Sequence, residues 1–149
     1  MAVFAIILVA QETFAQSLPV SVKTYLGRNY AGWELSPSKK GCGQETNNGV
    51  VRGYFNGDQK RDFAVKFTRS GRGYILAFLA SNNGYKPFVL HKTDAQEIEY
   101  SSLSVWKKGD RFELGEQNVY VKYDAPADFH CESDVGGIHL YRNGPFIAY

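Results

Sequence analysis

The chain lacks any apolar run long enough to cross a bilayer as a helix; the longest, Ala2 to Ala10, stops well short of the roughly 20 residues a span needs. Cysteine is scarce. The two present, Cys42 and Cys131, stand 89 positions apart, which excludes a local Cys-x-x-Cys redox or zinc motif. There is no Gly-x-Ser-x-Gly nucleophile elbow. Ser70-Gly71-Arg72-Gly73 leads into a strand pattern, whereas phosphate cradles exploit the start of a helix. No Asn-x-Ser/Thr acceptor occurs. With 17 Lys and Arg against 15 Asp and Glu, the formal charge of +2 gives no reason to expect a nucleic-acid partner.

What is abundant points to β-structure. Aromatics make up 15% of the residues, with ten Tyr and ten Phe, and Gly is frequent while Met occurs once. A length of 149 residues suits one domain able to bury its own core. Residues 1–15 combine the apolar run with Thr13-Phe14-Ala15, the outline of a cleavable leader, although no Lys or Arg precedes the run. The expectation is an exported chain, periplasmic or secreted, maturing near Gln16; the alternative is a buried N-terminal strand or helix of a cytosolic protein. In an oxidising compartment Cys42 and Cys131 would form one long-range disulfide, and otherwise two thiols.

Leu18, Val22, Tyr25, Leu26, Tyr30 and Trp33 recur at helical spacing, with Pro19 suited to a first turn and Gly32 to an end. Ser36 to Gly49 is breaker-rich and reads as a long loop. Short β-prone runs then alternate with turn residues: Val50 to Phe55, Phe63 to Thr68, Tyr74 to Ala80 and Tyr85 to His91, a meander. Less regular runs follow at Leu103 to Trp106, Arg111 to Leu114, Val119 to Tyr123, Asp128 to Glu132, Ile138 to Tyr141 and Phe146 to Ala148, with a hairpin at Arg142-Asn143-Gly144. Ala95 to Tyr100 fits either a strand or a helical turn. The fold class expected is α+β: a single domain, residues 16–149, with an N-terminal helix packed on a mostly antiparallel, meander-rich sheet or sandwich.

Within the meander, Phe55-Asn56-Gly57-Asp58, Asp62-Phe63-Ala64-Val65 and Asn83-Gly84-Tyr85 occur in order. On these residues, 50–90 resembles one FG-GAP or VCBS-type repeat, and the whole chain resembles small exported bacterial proteins carrying a single such motif. The resemblance implies a calcium-cradling turn, since a hard cation takes six to eight oxygens and alternate positions of a tight loop can converge them. The candidate ligands are Asn56, Asp58, Asp62 and the carbonyl of Lys60. Two positions depart from the family pattern: Tyr54 stands where its first acidic ligand is expected, and Gln59 where a glycine would turn the loop. Lys60 and Arg61 add positive charge. A turn held by Asn and Asp side chains on backbone amides is the simpler expectation, with no cofactor.

Three histidines, His91, His130 and His139, invite a zinc reading, but nothing in their spacing makes them converge. Tyr54, Arg61, Arg69, Arg72, Tyr74, Tyr85 and Lys86 interleave basic and aromatic residues around the hairpins, a composition suited to a protein or glycan partner in the envelope. The bland alternative is edge protection by Lys and Arg with cross-strand aromatic pairs. The functional expectation is a non-catalytic binding or structural module of the cell envelope or extracellular space. Its rivals are self-assembly by strand addition and a small hydrolase using acidic residues of the C-terminal strands.

Overall fold

A computed structural model describes residues 18–39, 41–42, 48–133 and 135–149. The expected leader, residues 1–15, lies outside them. The chain folds as one small domain of mostly antiparallel strands with little helix. Helix α1 (Val20–Asn29) starts after Pro19 and ends four residues before Trp33. The apolar stripe extends beyond the helix because Tyr30 and Trp33 pack from the turn that follows, where Gly32 takes a positive φ. Leu18, Val22 and Leu26 share one buried cluster with Val50, Phe63, Val65, Phe67, Tyr74, Leu76 and Phe78.

Strands β1 (Glu34–Leu35), β2 (Val50–Gly53), β3 (Asp62–Arg69), β4 (Arg72–Ser81) and β5 (Gly84–Asp94) form the first sheet. Its order is β1-β3-β4-β5, with β2 sharing the β1 flank of β3, and β5 forms its opposite edge. Period-2 alternation sends Phe63, Val65, Phe67, Tyr74, Leu76 and Phe78 into the cluster containing α1. It sends Ala64, Ile75 and Leu79 into a second cluster with Ile98 and Leu103. The five-residue helix α2 (Ala95–Glu99) resolves the ambiguous Ala95 to Tyr100 segment as helical. Its Ile98 is seated on Gly73, where an added Cβ would lie 2.4 Å from the Ile98 Cβ.

The second sheet runs β11-β10-β9-β6, from β6 (Ser101–Trp106), β9 (Ala125–His130), β10 (Gly136–Tyr141) and β11 (Phe146–Ala148). Strands β7 (Arg111–Leu114) and β8 (Gln117–Tyr120) make a separate hairpin, whose Phe112 and Val119 pack on the Val121, Ala125, Ala127, Ile138 and Leu140 cluster. Two expected strands are shifted: Val119 to Tyr123 becomes β8, ending at Tyr120, and Asp128 to Glu132 becomes β9, beginning at Ala125. Pro126 explains the second shift. It pairs only with Val105 of β6, at a position where β10 has not yet joined, so its missing N–H costs no ladder bond to β10.

Cys42 and Cys131 are disulfide-bonded, with Cα atoms 4.9 Å apart. The bond ties the loop before β2 to the end of β9. Among the described residues no helix is long and apolar enough to cross a membrane.

Candidate functional site

The Asn/Asp-rich loop between β2 and β3 is built from the hydrogen bonds its own residues make. Asn56 Oδ1 accepts from Asp58 N at 3.1 Å, Asp58 Oδ1 from Lys60 N at 2.9 Å, and Asp58 Oδ2 from Asn56 Nδ2 at 3.0 Å. These are Asx turns, in which a short side chain stands in for a backbone acceptor. Asp62 is fully buried, one oxygen accepting from Phe55 N at 2.7 Å and the other from Ala80 N at 2.8 Å. Burial pushes its carboxyl up to about 6, against the opposing pull of those amides. Lys60 donates its ammonium to Asn82 Oδ1 at 2.7 Å. The loop thus spends its side-chain oxygens on closing the turn and fastening it to the end of β4. Among the described residues no group of three or more His, Cys, Asp or Glu is arranged to hold a metal.

Two close approaches fix the loop further. Gly57, at φ 78°, leaves space only for the Tyr123 ring, since an added Cβ would fall 2.2 Å from it. Gln59 takes φ 62°, a left-handed conformation that glycine adopts without strain. A non-glycine residue there costs about 1–2 kcal/mol, partly offset by the entropy glycine adds to the unfolded chain. Gln59→Gly is expected to raise stability by about 0.5–1 kcal/mol, read as a higher urea midpoint at unchanged slope. A lower midpoint would show that the Gln59 side chain holds the loop.

The seven basic and aromatic residues do not form one face. Tyr74 is a core residue, stacked on Phe67 at 5.2 Å and packed against Tyr30, because its position in β4 points to the α1 side. Tyr85 packs half-buried against Phe63. Arg69 lies against the Ala31 carbonyl, and Arg72 is paired with Asp94 at 2.6 Å. Tyr54, Arg61 and Lys86 are exposed, with Lys86 over the Phe88 ring.

The histidines behave differently. Strand β5 carries a bulge: Ile75 faces His91 and Leu76 faces Val89, so Leu90 is the extra residue. In an unbroken strand, Phe88 and Leu90 would point inward and His91 outward. The bulge turns His91 to the inner face as well, which is what such irregularities commonly do beside sites. From the second sheet, Asp128 of β9 and His139 of β10 face the same space. The Asp128 carboxylate, 3% exposed, accepts from both: His139 Nε2 at 2.6 Å on one oxygen and His91 Nδ1 at 2.7 Å on the other. Burial alone would raise the Asp128 carboxyl, but the bonds from His139 and His91 outweigh it and hold the group down at about 2. The same bond to Asp128 raises the His91 imidazole above its ordinary value, against the opposing effect of burial.

This trio forms the floor of an open cleft of about 550 Å³, lined also by Leu90, Thr93, Glu97, His130, Val135 and Ala148. The Thr93 hydroxyl donates to the Glu97 carboxylate, and the Ser101 hydroxyl to the Glu97 carbonyl at 3.3 Å. Behind it lies Lys66, wholly buried on the inner face of β3. Its ammonium donates to Ser38 Oγ at 3.3 Å, to the Ile98 carbonyl at 3.1 Å and to the Ser101 carbonyl. Burial lowers this ammonium to about 8. Lys66 links β3, α2 and the start of β6, and so fixes one wall of the cleft.

The sequence offers the three histidines as candidates, but nothing in their spacing brings any of them to Asp128. The bulge at Leu90 and the diagonal placement of His139 across the Gly137–Asp128 pair supply the convergence. Nothing in the sequence marks Lys66 for burial, since a lysine in an alternating strand reads as outward-facing. Comparison of the chain with protein-family models, with curated proteins and with solved structures finds no match.

Proposed function

We propose that the protein is an exported, non-catalytic binding module of the cell envelope or extracellular space, whose ligand seat is the cleft floored by His91, Asp128 and His139. The observation that carries this reading is the bridging carboxylate. With both oxygens of Asp128 taken by imidazoles, His91 is held by Nδ1 and left half-exposed, so that its Nε2 can meet a ligand. A cleft of this size, with apolar walls and a few fixed polar groups, suits a compact ligand such as a short saccharide or peptide segment.

Several features support this reading over its rivals. The Thr93 and Ser101 hydroxyls donate to Glu97 and not to an imidazole, so neither is set up as a nucleophile. The buried carboxylates Asp62, Asp124 and Asp128 are held by separate partners, unlike a paired acid and base across a cleft. Strand addition is disfavoured along the edge strand β5 by Pro87, the Leu90 bulge, Lys86 and Lys92. The disulfide favours an oxidising compartment. In this account residues 50–90 are one FG-GAP or VCBS-type motif used as scaffold, and the two sheets are the layers of a sandwich with α1 on its outer side.

The test is an ¹H–¹⁵N titration of the chain with neutral oligosaccharides and with short peptides. Saturable shifts are expected at His91, Thr93, Glu97, Gly136 and Gly137, with affinity at least tenfold weaker in Glu97→Ala. Shifts gathered on the α1 face, or turnover of an added compound, would contradict the reading.

A further inference from the structure

Strand β5 reaches the second sheet in two ways. At Phe88 the contact is aromatic, with Phe146 at 5.4 Å and Tyr141 at 6.4 Å between ring centres. Three residues on, it is wholly polar: His91 to the carboxylate that also holds His139. The aromatic contact has no titratable partner near neutrality, whereas the polar one does. Beyond it the strand ends at Asp94, paired with Arg72, and leads directly into α2.

We propose that His91, Asp128 and His139 form a proton-operated clasp, which holds the C-terminal half of β5 across the cleft while His91 is protonated and loosens it when His91 is neutral. An imidazolium donating to a buried carboxylate makes a charge-assisted bond, roughly twice as strong as the bond a neutral ring makes. The groups facing His91 from neighbouring elements are Asp128 of β9, His139 of β10 and Glu97 of α2, with His130 lining the same cleft. Asp128 also lies within electrostatic reach of the buried Lys66 ammonium of β3. Asp128 and Glu97 both favour the charged ring. The raised His91 fixes the sign: the clasp contributes fully below the ordinary imidazole range and weakens as pH rises through the folded-state value. Proton uptake therefore closes the cleft wall, and proton loss frees it.

The inference rests on the reading of the cleft as a ligand seat only for its consequence, access. Hydrogen exchange without ligand tests the clasp whether or not the seat is ever filled. In the full chain, exchange of the β5 amides from His91 to Asp94, corrected for intrinsic pH dependence, should quicken about fivefold relative to β3 between pH 5 and pH 8.5, the ratio expected between a charge-assisted and a neutral bond. The midpoint should coincide with the His91 titration followed by its ring signals. In His91→Gln, which retains a donor but no titration, β5 should stay protected with a flat pH profile. If that variant is too unstable to measure, His91→Asn, whose amide nitrogen can stand where Nδ1 stands and which does not titrate, should give the same flat profile. A wild-type profile that is flat, or one that persists unchanged in His91→Gln, would overturn the proposal.

Discussion

Asp128→Ala should lower stability by about 3–5 kcal/mol, the range observed when one member of a buried charged network is removed. The substitution leaves His139, 4% exposed, without its acceptor at 2.6 Å, and removes the acceptor that holds His91 Nδ1. Two charge-assisted bonds are lost together, each worth about 1.5–3 kcal/mol, less the relief of a buried charge. Linkage gives a second signature. Because the folded-state value of Asp128, about 2, lies below its unfolded value, the group contributes stability above the unfolded range and loses it as pH falls toward 2. The variant should therefore lose the part of acid sensitivity that the wild type shows between about pH 4 and pH 2. Urea denaturation across that range measures both effects. A loss below about 1 kcal/mol at neutral pH would mean that the bridging bonds do not form.

The second large effect concerns the disulfide. The double variant Cys42→Ser, Cys131→Ser opens a loop of 89 residues, for which the chain-entropy model gives about 4.6 kcal/mol of lost stabilisation. The bond fastens the loop before β2 to the end of β9, and that loop carries Ser38, which accepts from Lys66 and donates to the Ser101 carbonyl. Loss should thus loosen both the loop and the cleft wall. Thermal unfolding of wild type with and without reductant, compared with the double variant, measures it. Equal midpoints in all three would show that the cross-link contributes nothing.

Much of the fold was legible because its first half obeys simple periodicities. The α1 stripe, the four meander strands and the turns at Ser70-Gly71 and Asn83-Gly84 follow from helical spacing, alternation and turn chemistry, and the structure places strands β2 to β5 there. The second half was less legible for local reasons. Pro126 masks the start of β9, and α2 is too short for a period to be read. The site was least legible. His91, Asp128 and His139 lie on three strands in two sheets, and the inward turn of His91 depends on a bulge that alternation cannot announce. Lys66 illustrates the same limit: its strand is buried on both faces, so alternation no longer separates core from solvent. Conversely, the loop that stood out most, Asn56 to Asp62, closes on its own amides.

The central claim is that one buried carboxylate bridges two imidazoles across the two sheets. A long-range ¹H–¹⁵N spectrum of the ring nitrogens at neutral pH tests it directly. The account predicts that His91 carries a proton on Nδ1 and His139 on Nε2, each hydrogen-bonded and shifted downfield, and that both signals move to ordinary positions in Asp128→Asn. Averaged, exchange-broadened rings at His91 and His139, unchanged by that substitution, would contradict it.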